Sequence, residues 1–212
     1  MRRFTTISSA FCLLFSGLLL GLLTPSAVHA QATDSLLATL TTAPEPLPLL
    51  PERMVFTQRM LWGQKGLLRV VGLAPLTDAG REKEMRIRRA MLVTHQALGY
   101  VTLAGMIAQG IVGARLYSGH REELGLHSNM AVGVNVAYFT TAGLSLLAPP
   151  PLLSRRIKGL NSMKLHRGLA VVHFSAMVAT NLLAGASTKQ YHRAAAYTAF
   201  GSFATAMIVM KF

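Results

Sequence analysis

The sequence predicts an all-α integral membrane protein: a four-helix up-down bundle preceded by a signal peptide and a short surface-helix segment. Three observations carry that expectation. Hydrophobic residues make up 51% of the 212-residue chain and charged residues only 14%, where an ordinary soluble domain has about 25% charged. Apolar segments of roughly 20 residues, the length of a bilayer-crossing helix, recur after residue 89. All eight acidic residues (Asp34, Glu45, Glu52, Asp78, Glu82, Glu84, Glu122, Glu123) precede residue 124, beyond which the chain has Lys and Arg but no carboxylate.

Charge distribution narrows the function classes. The net charge is +13, yet the basic residues lie between apolar runs rather than along one soluble face, which argues against nucleic acid as a partner. A transmembrane Asp or Glu is absent from the last three apolar segments, so a proton relay or hard-cation site of the usual kind is not expected there.

Met1 to Arg3 is a short basic region, Phe11 to Leu23 is apolar and Val28-His29-Ala30 offers small residues at the positions a signal peptidase reads. Residues 1–30 therefore read as a secretory signal, with an uncleaved anchor helix as the alternative. The single cysteine, Cys12, falls inside this segment. Residues 31–52 carry four prolines and read as an extended spacer. Met54 to Leu73 places Arg59, Lys65 and Arg69 among Trp62 and several leucines, the composition of a helix lying on a membrane surface, weakened by Gly63 and Gly66. Residues 77–89 are charged with mixed sign and read as a solvated lead-in. The expected organisation is thus signal over 1–30, extracytoplasmic spacer and surface segment over 31–89, and four-helix domain over 90–212.

Four helices are expected at about Ala90–Ala114, Leu126–Ala148, Leu165–Ser187 and Tyr191–Met210, the second stopped by Pro149-Pro150-Pro151. In lipid the backbone must pair internally, which leaves helices as the structure. Small residues such as Gly99, Gly105, Gly133 and Ala176 allow close helix packing. Orientation is contested between two rules. A signal places residues 31–89 outside the cytoplasm, whereas the loops then outside carry more Lys and Arg than those inside, against the positive-inside tendency.

Histidine supplies the remaining polar chemistry inside the bundle. Of seven histidines, His95, His127, His166 and His192 each stand near the start of a different helix. In an up-down bundle the starts of the first and third helices share one level, and those of the second and fourth share the other. His95 is thereby matched with His166, and His127 with His192. Two neutral imidazoles from separate helices at one level suit axial ligation of a haem iron. Each alone would more often be an interhelical hydrogen-bonding residue. His173, seven residues beyond His166, either contacts the same cofactor, bonds across helices or replaces His166 as partner to His95.

The stretches THQALGYVTLAGMIAQGIVGARLY, LHSNMAVGVNVAYFTTAGLSLL, LHRGLAVVHFSAMVATNLLAG and YHRAAAYTAFGSFATAMIVM resemble, in order, the four core helices of the cytochrome b561 family. The resemblance covers about residues 90–212. It implies two b-type haems on opposite sides of a membrane, one on His95 and His166 and the other on His127 and His192. Arg167 and Arg193, each following a ligand candidate, would face haem propionates or lipid phosphate. Eukaryotic members typically have six helices, one more on each side of the core. Ascorbate use and ferric reduction, known for some members, do not transfer without the flanking substrate sites.

The expected function is transmembrane electron transfer, an oxidoreductase of cytochrome b561 type in a bacterial cytoplasmic membrane. Membrane lipid, an electron donor and an electron acceptor are the expected partners, with a homo-oligomer or redox partner protein beside them. A single-haem or quinone-facing anchor subunit and a cofactor-free membrane scaffold are the competing readings.

Overall fold

The structure, a computed structural model, describes residues 48–153, 159–185, 187 and 189–211. The signal over 1–30, most of the spacer, and the loop cations Arg155, Arg156 and Lys158 lie outside the described residues. All regular structure among the described residues is helical: α1 (Phe56–Trp62), α2 (Leu67–Val70), α3 (Asp78–Tyr117), a 3-10 turn (Arg121–Glu123), α4 (Leu124–Leu146), α5 (Ser162–Leu182) and α6 (Lys189–Lys211). They belong to one compact unit that begins at Pro48, so residues 48–89 are part of the same body as the long helices.

Helix ends follow local chemistry. The Thr77 side chain accepts from Gly80 N–H and the Asn161 side chain from Lys164 N–H, so α3 and α5 each start on a side-chain cap. Gly63 and Gly66 divide the expected surface helix into α1 and α2. A Cβ at Gly66 would stand 2.6 Å from the Leu61 carbonyl oxygen, and the chain can fold back that tightly only with glycine there.

Cross-helix contacts define two antiparallel hairpins. His95, early in α3, meets Thr141, late in α4, while Gln109, late in α3, meets His127, early in α4. His166 of α5 meets Ala206 of α6, and His192 of α6 meets Thr180 of α5. Between the hairpins α3 touches α6. Met106, Tyr138, Ala176, Met177, Ala199 and Phe203 form a shared core drawn from all four long helices.

The charged lead-in expected over 77–89 is solvated at most of its positions but buried at two. These residues form the opening turns of the 40-residue α3, and Arg81 and Glu84 are each 2% exposed. Glu84 is paired with both Arg69 and Arg81. The surface segment also does more than lie flat, because its donors cap the end of α4. Thr57 Oγ1 donates to the Leu146 carbonyl at 2.6 Å, Trp62 Nε1 to Leu147 at 2.9 Å and Gln58 Nε2 to Ala148 at 3.3 Å. Arg88 donates to the Pro149 carbonyl, and Arg81 to those of Pro150 and Pro151. Six consecutive carbonyls, which a helix end followed by three prolines leaves without backbone donors, thus all receive side-chain donors.

Among the described helices, α3 is the one long and apolar enough to cross a membrane. Most of its apolar window is uncovered by the rest of the chain. Helices α4, α5 and α6 have 23, 21 and 23 residues, but Asn129, Asn135, Asn181, Gln190 and their histidines dilute their apolar character. By length and apolarity, one of the four expected spans is thus supported among the described residues.

Candidate functional site

Each hairpin contributes one histidine to each of two pairs. His95 (α3) stands beside His166 (α5), with ring centroids 6.5 Å apart and planes crossing at 85°. His127 (α4) stands beside His192 (α6), with centroids 6.3 Å apart and planes crossing at 73°. A metal held between two imidazoles at ~2.0–2.1 Å from each nitrogen leaves the ring centroids ~6.3 Å apart, so both separations suit a shared axial metal. Fourteen residues of α5 separate His166 from Thr180, which holds His192, so the two levels lie ~21 Å apart along the helix.

Hydrogen bonds fix the tautomer of three of the four rings. His95 Nδ1 is 2.8 Å from the Thr141 carbonyl, His166 Nδ1 3.0 Å from that of Ala206 and His192 Nδ1 2.8 Å from that of Thr180. A carbonyl only accepts, so each Nδ1 carries a proton, and in the neutral ring each Nε2 then keeps its lone pair, the tautomer a metal requires. Thr180 lies in the last turn of α5, where its carbonyl has no helical partner. The helix end itself thus supplies the group that orients His192.

His127 departs from this arrangement. Its Nδ1 is buried without a partner among the described residues, and its Nε2 lies 3.4 Å from the Gln109 amide nitrogen. Gln109 Nε2 also donates to the His127 carbonyl at 2.9 Å. The ring packs against Gly113, where a Cβ would come within 2.9 Å of Cε1. Glycine at 113 is therefore what admits the imidazole. Of the four histidines, His127 has the loosest hold on its own orientation.

His173 belongs to neither histidine pair. Its Nδ1 is 2.6 Å from the Tyr138 hydroxyl, and its ring meets those of Tyr138 and Phe203 edge-on at 5.7 and 5.1 Å. Of the three roles open to it in the sequence, bonding across helices is the one these contacts display.

The two arginines differ in setting. The Arg193 guanidinium stacks 4.0 Å over the Tyr117 ring, a cation–π contact that draws it toward the end of α3. Arg167 is exposed at the opposite end, facing Arg88. Burial first, then Arg167 and Arg81, pull the Arg88 guanidinium below its usual value. A concentration of cations thus borders the His95/His166 level, which an anionic group such as a propionate would relieve.

Sequence reasoning missed Tyr138, Gln109 and the carbonyls of Thr141, Thr180 and Ala206, and took Gly113 only as a small residue for helix packing. Backbone acceptors have no residue signature. Tyr138, a lone tyrosine in an apolar run, could have been found only as a buried hydroxyl in need of a partner.

No family model, curated protein or solved structure matches this chain.

Proposed function

We propose that the chain is a four-span membrane protein that moves electrons between the two faces of a membrane, with two b-type haems as cofactors. His95 and His166 would hold one haem, and His127 and His192 the other. The observation that carries this reading is the pairing of imidazoles across the two hairpins at the spacing of a common axial metal, three of them with Nδ1–H fixed on a carbonyl. When bound, the haems supply reversible one-electron chemistry. Backbone carbonyls orient the His95, His166 and His192 rings and, in the neutral imidazole, leave Nε2 free for the iron.

Outward-facing residues favour membrane placement of all four long helices. Val93, Val101, Ile107 and Ile111 on α3, Val132 and Val136 on α4, Val171 and Leu182 on α5, and Ile208 on α6 are exposed large hydrophobics. Such a surface is rarely left to water.

A one-haem reading has one observation in its favour, the unpartnered Nδ1 of His127. Haem-to-protein stoichiometry and an optical redox titration of the purified protein decide between them. Two haems per chain with two potentials is the expected result; one haem supports the alternative. A chain without a Soret band after expression with ample haem would be a scaffold, and would refute both. The pairing makes a sharper demand. His127→Ala and His192→Ala remove the same haem and leave the other intact, and loss of different haems would overturn it.

A further inference from the structure

We infer that Tyr138 is a positioning residue that holds His173 as a fixed N–H donor beside the His95/His166 level and thereby keeps it from acting as a metal ligand. The inference rests on the haem reading above for its functional consequence, but not for its chemistry. Tyr138 is 1% exposed. Among the described residues its hydroxyl has one hydrogen-bond partner, His173 Nδ1 at 2.6 Å. Were Nδ1 the donor, the buried O–H would be left with nothing to donate to, a cost of about 1–3 kcal/mol. The hydroxyl therefore donates and Nδ1 accepts, so neutral His173 carries its proton on Nε2. That is the opposite tautomer to His95, His166 and His192, whose Nδ1 atoms face carbonyls. The partner at Nδ1 thus separates one donor histidine from three with ligand-type Nε2.

Position decides which level His173 acts on. Tyr138 precedes Thr141, the acceptor for His95, by one helical turn, and lies three turns from His127. Phe203, packed on the His173 ring, likewise precedes Ala206, the acceptor for His166, by one turn and follows His192 by three. Reduction adds negative charge at the nearer level, and an N–H dipole held close to it favours the reduced state. Replacing Tyr138 by Phe removes the donor to Nδ1 and releases the tautomer.

Two measurements test this. In full-length protein labelled with 15N at histidine, His173, assigned by comparison with His173→Gln, shows a protonated Nε2 and an acceptor Nδ1, and Tyr138→Phe abolishes that state. A protonated Nδ1 in the native chain, or an unchanged His173 in Tyr138→Phe, overturns the inference. In the holoprotein, Tyr138→Phe retains both haems and lowers one midpoint potential, by a tenfold change in the reduced-to-oxidised ratio, or about 59 mV for one electron. Loss of a haem, or two potentials that stay fixed or move together, overturns it as well. Native protein that takes up no haem refutes the haem reading while leaving the 15N test to decide the role of Tyr138.

Discussion

Replacing Arg81 by Met keeps the side-chain volume at the end of α4 but removes the charge. Arg81 is 2% exposed, pairs with Glu84 and donates to the Pro150 and Pro151 carbonyls at 3.0 and 3.3 Å. Removing one partner of a buried ion pair costs about 3–5 kcal/mol, because the remaining charge stays desolvated. Glu84 keeps Arg69, which draws the cost toward the lower end. The two carbonyls lose donors, but Pro151 is only partly buried and water can reach it. About 3 kcal/mol is therefore expected, and it acts first on the segment the network holds, since local opening needs less free energy than global unfolding. Hydrogen exchange and limited proteolysis of the full-length protein in detergent should show residues 56–77 opening roughly a hundredfold more often, at 1.4 kcal/mol per tenfold. Arg86→Met is the control. Its pair with Glu82 is 69% and 72% exposed, and such pairs contribute about 0–1 kcal/mol. Equal protection of the segment in the two variants would refute the claim that the buried network clamps it.

Two further outcomes follow from the packing. Gly113→Ala places a Cβ 2.9 Å from the His127 ring, so under the proposed haem reading it should perturb the optical spectrum of the His127/His192 site alone, whereas Gly110→Ala, which meets nothing within 4 Å, should leave any haem spectrum unchanged and add about 1 kcal/mol of helix stability. Asn135 and Asn181 exchange side-chain bonds at 2.8 and 2.9 Å between α4 and α5; a double-mutant cycle with leucine, read by unfolding in detergent, should give a coupling of about 0.6 kcal/mol if both helices lie in a membrane as proposed, and a value of zero removes this pair as a tie between hairpins.

Periodicity and apolar length located the long helices well at some ends and poorly at others. The expected second helix, Leu126–Ala148, lies within two residues of α4 at each end, because Pro149 halts it by a local rule. The expected first helix, Ala90–Ala114, omits the first twelve and the last three residues of α3. Arg81 and Glu84 looked solvated in the sequence because what buries them, Arg69 and the proline carbonyls, comes from elsewhere in the chain. The level-matching of His95 with His166 and of His127 with His192 was legible, since helix order alone sets which starts meet. What orients the rings was not, because carbonyls are common to every residue and only the fold selects Thr141, Thr180 and Ala206.

The clasp on carbonyls 146–151 also has a consequence in time. Thr57 and its acceptor are 89 residues apart, and Gln58 and its acceptor 90. At synthesis rates of ~5–20 residues per second, α1 waits ~4–18 s for the carbonyls it will cap. The earliest element of the described chain is therefore among the last to find its place in the first hairpin, and until then Trp62, 8% exposed in the finished fold, has no acceptor and remains open. Closure of the clasp registers that α3 and α4 have both been made and have turned back on each other in the correct order.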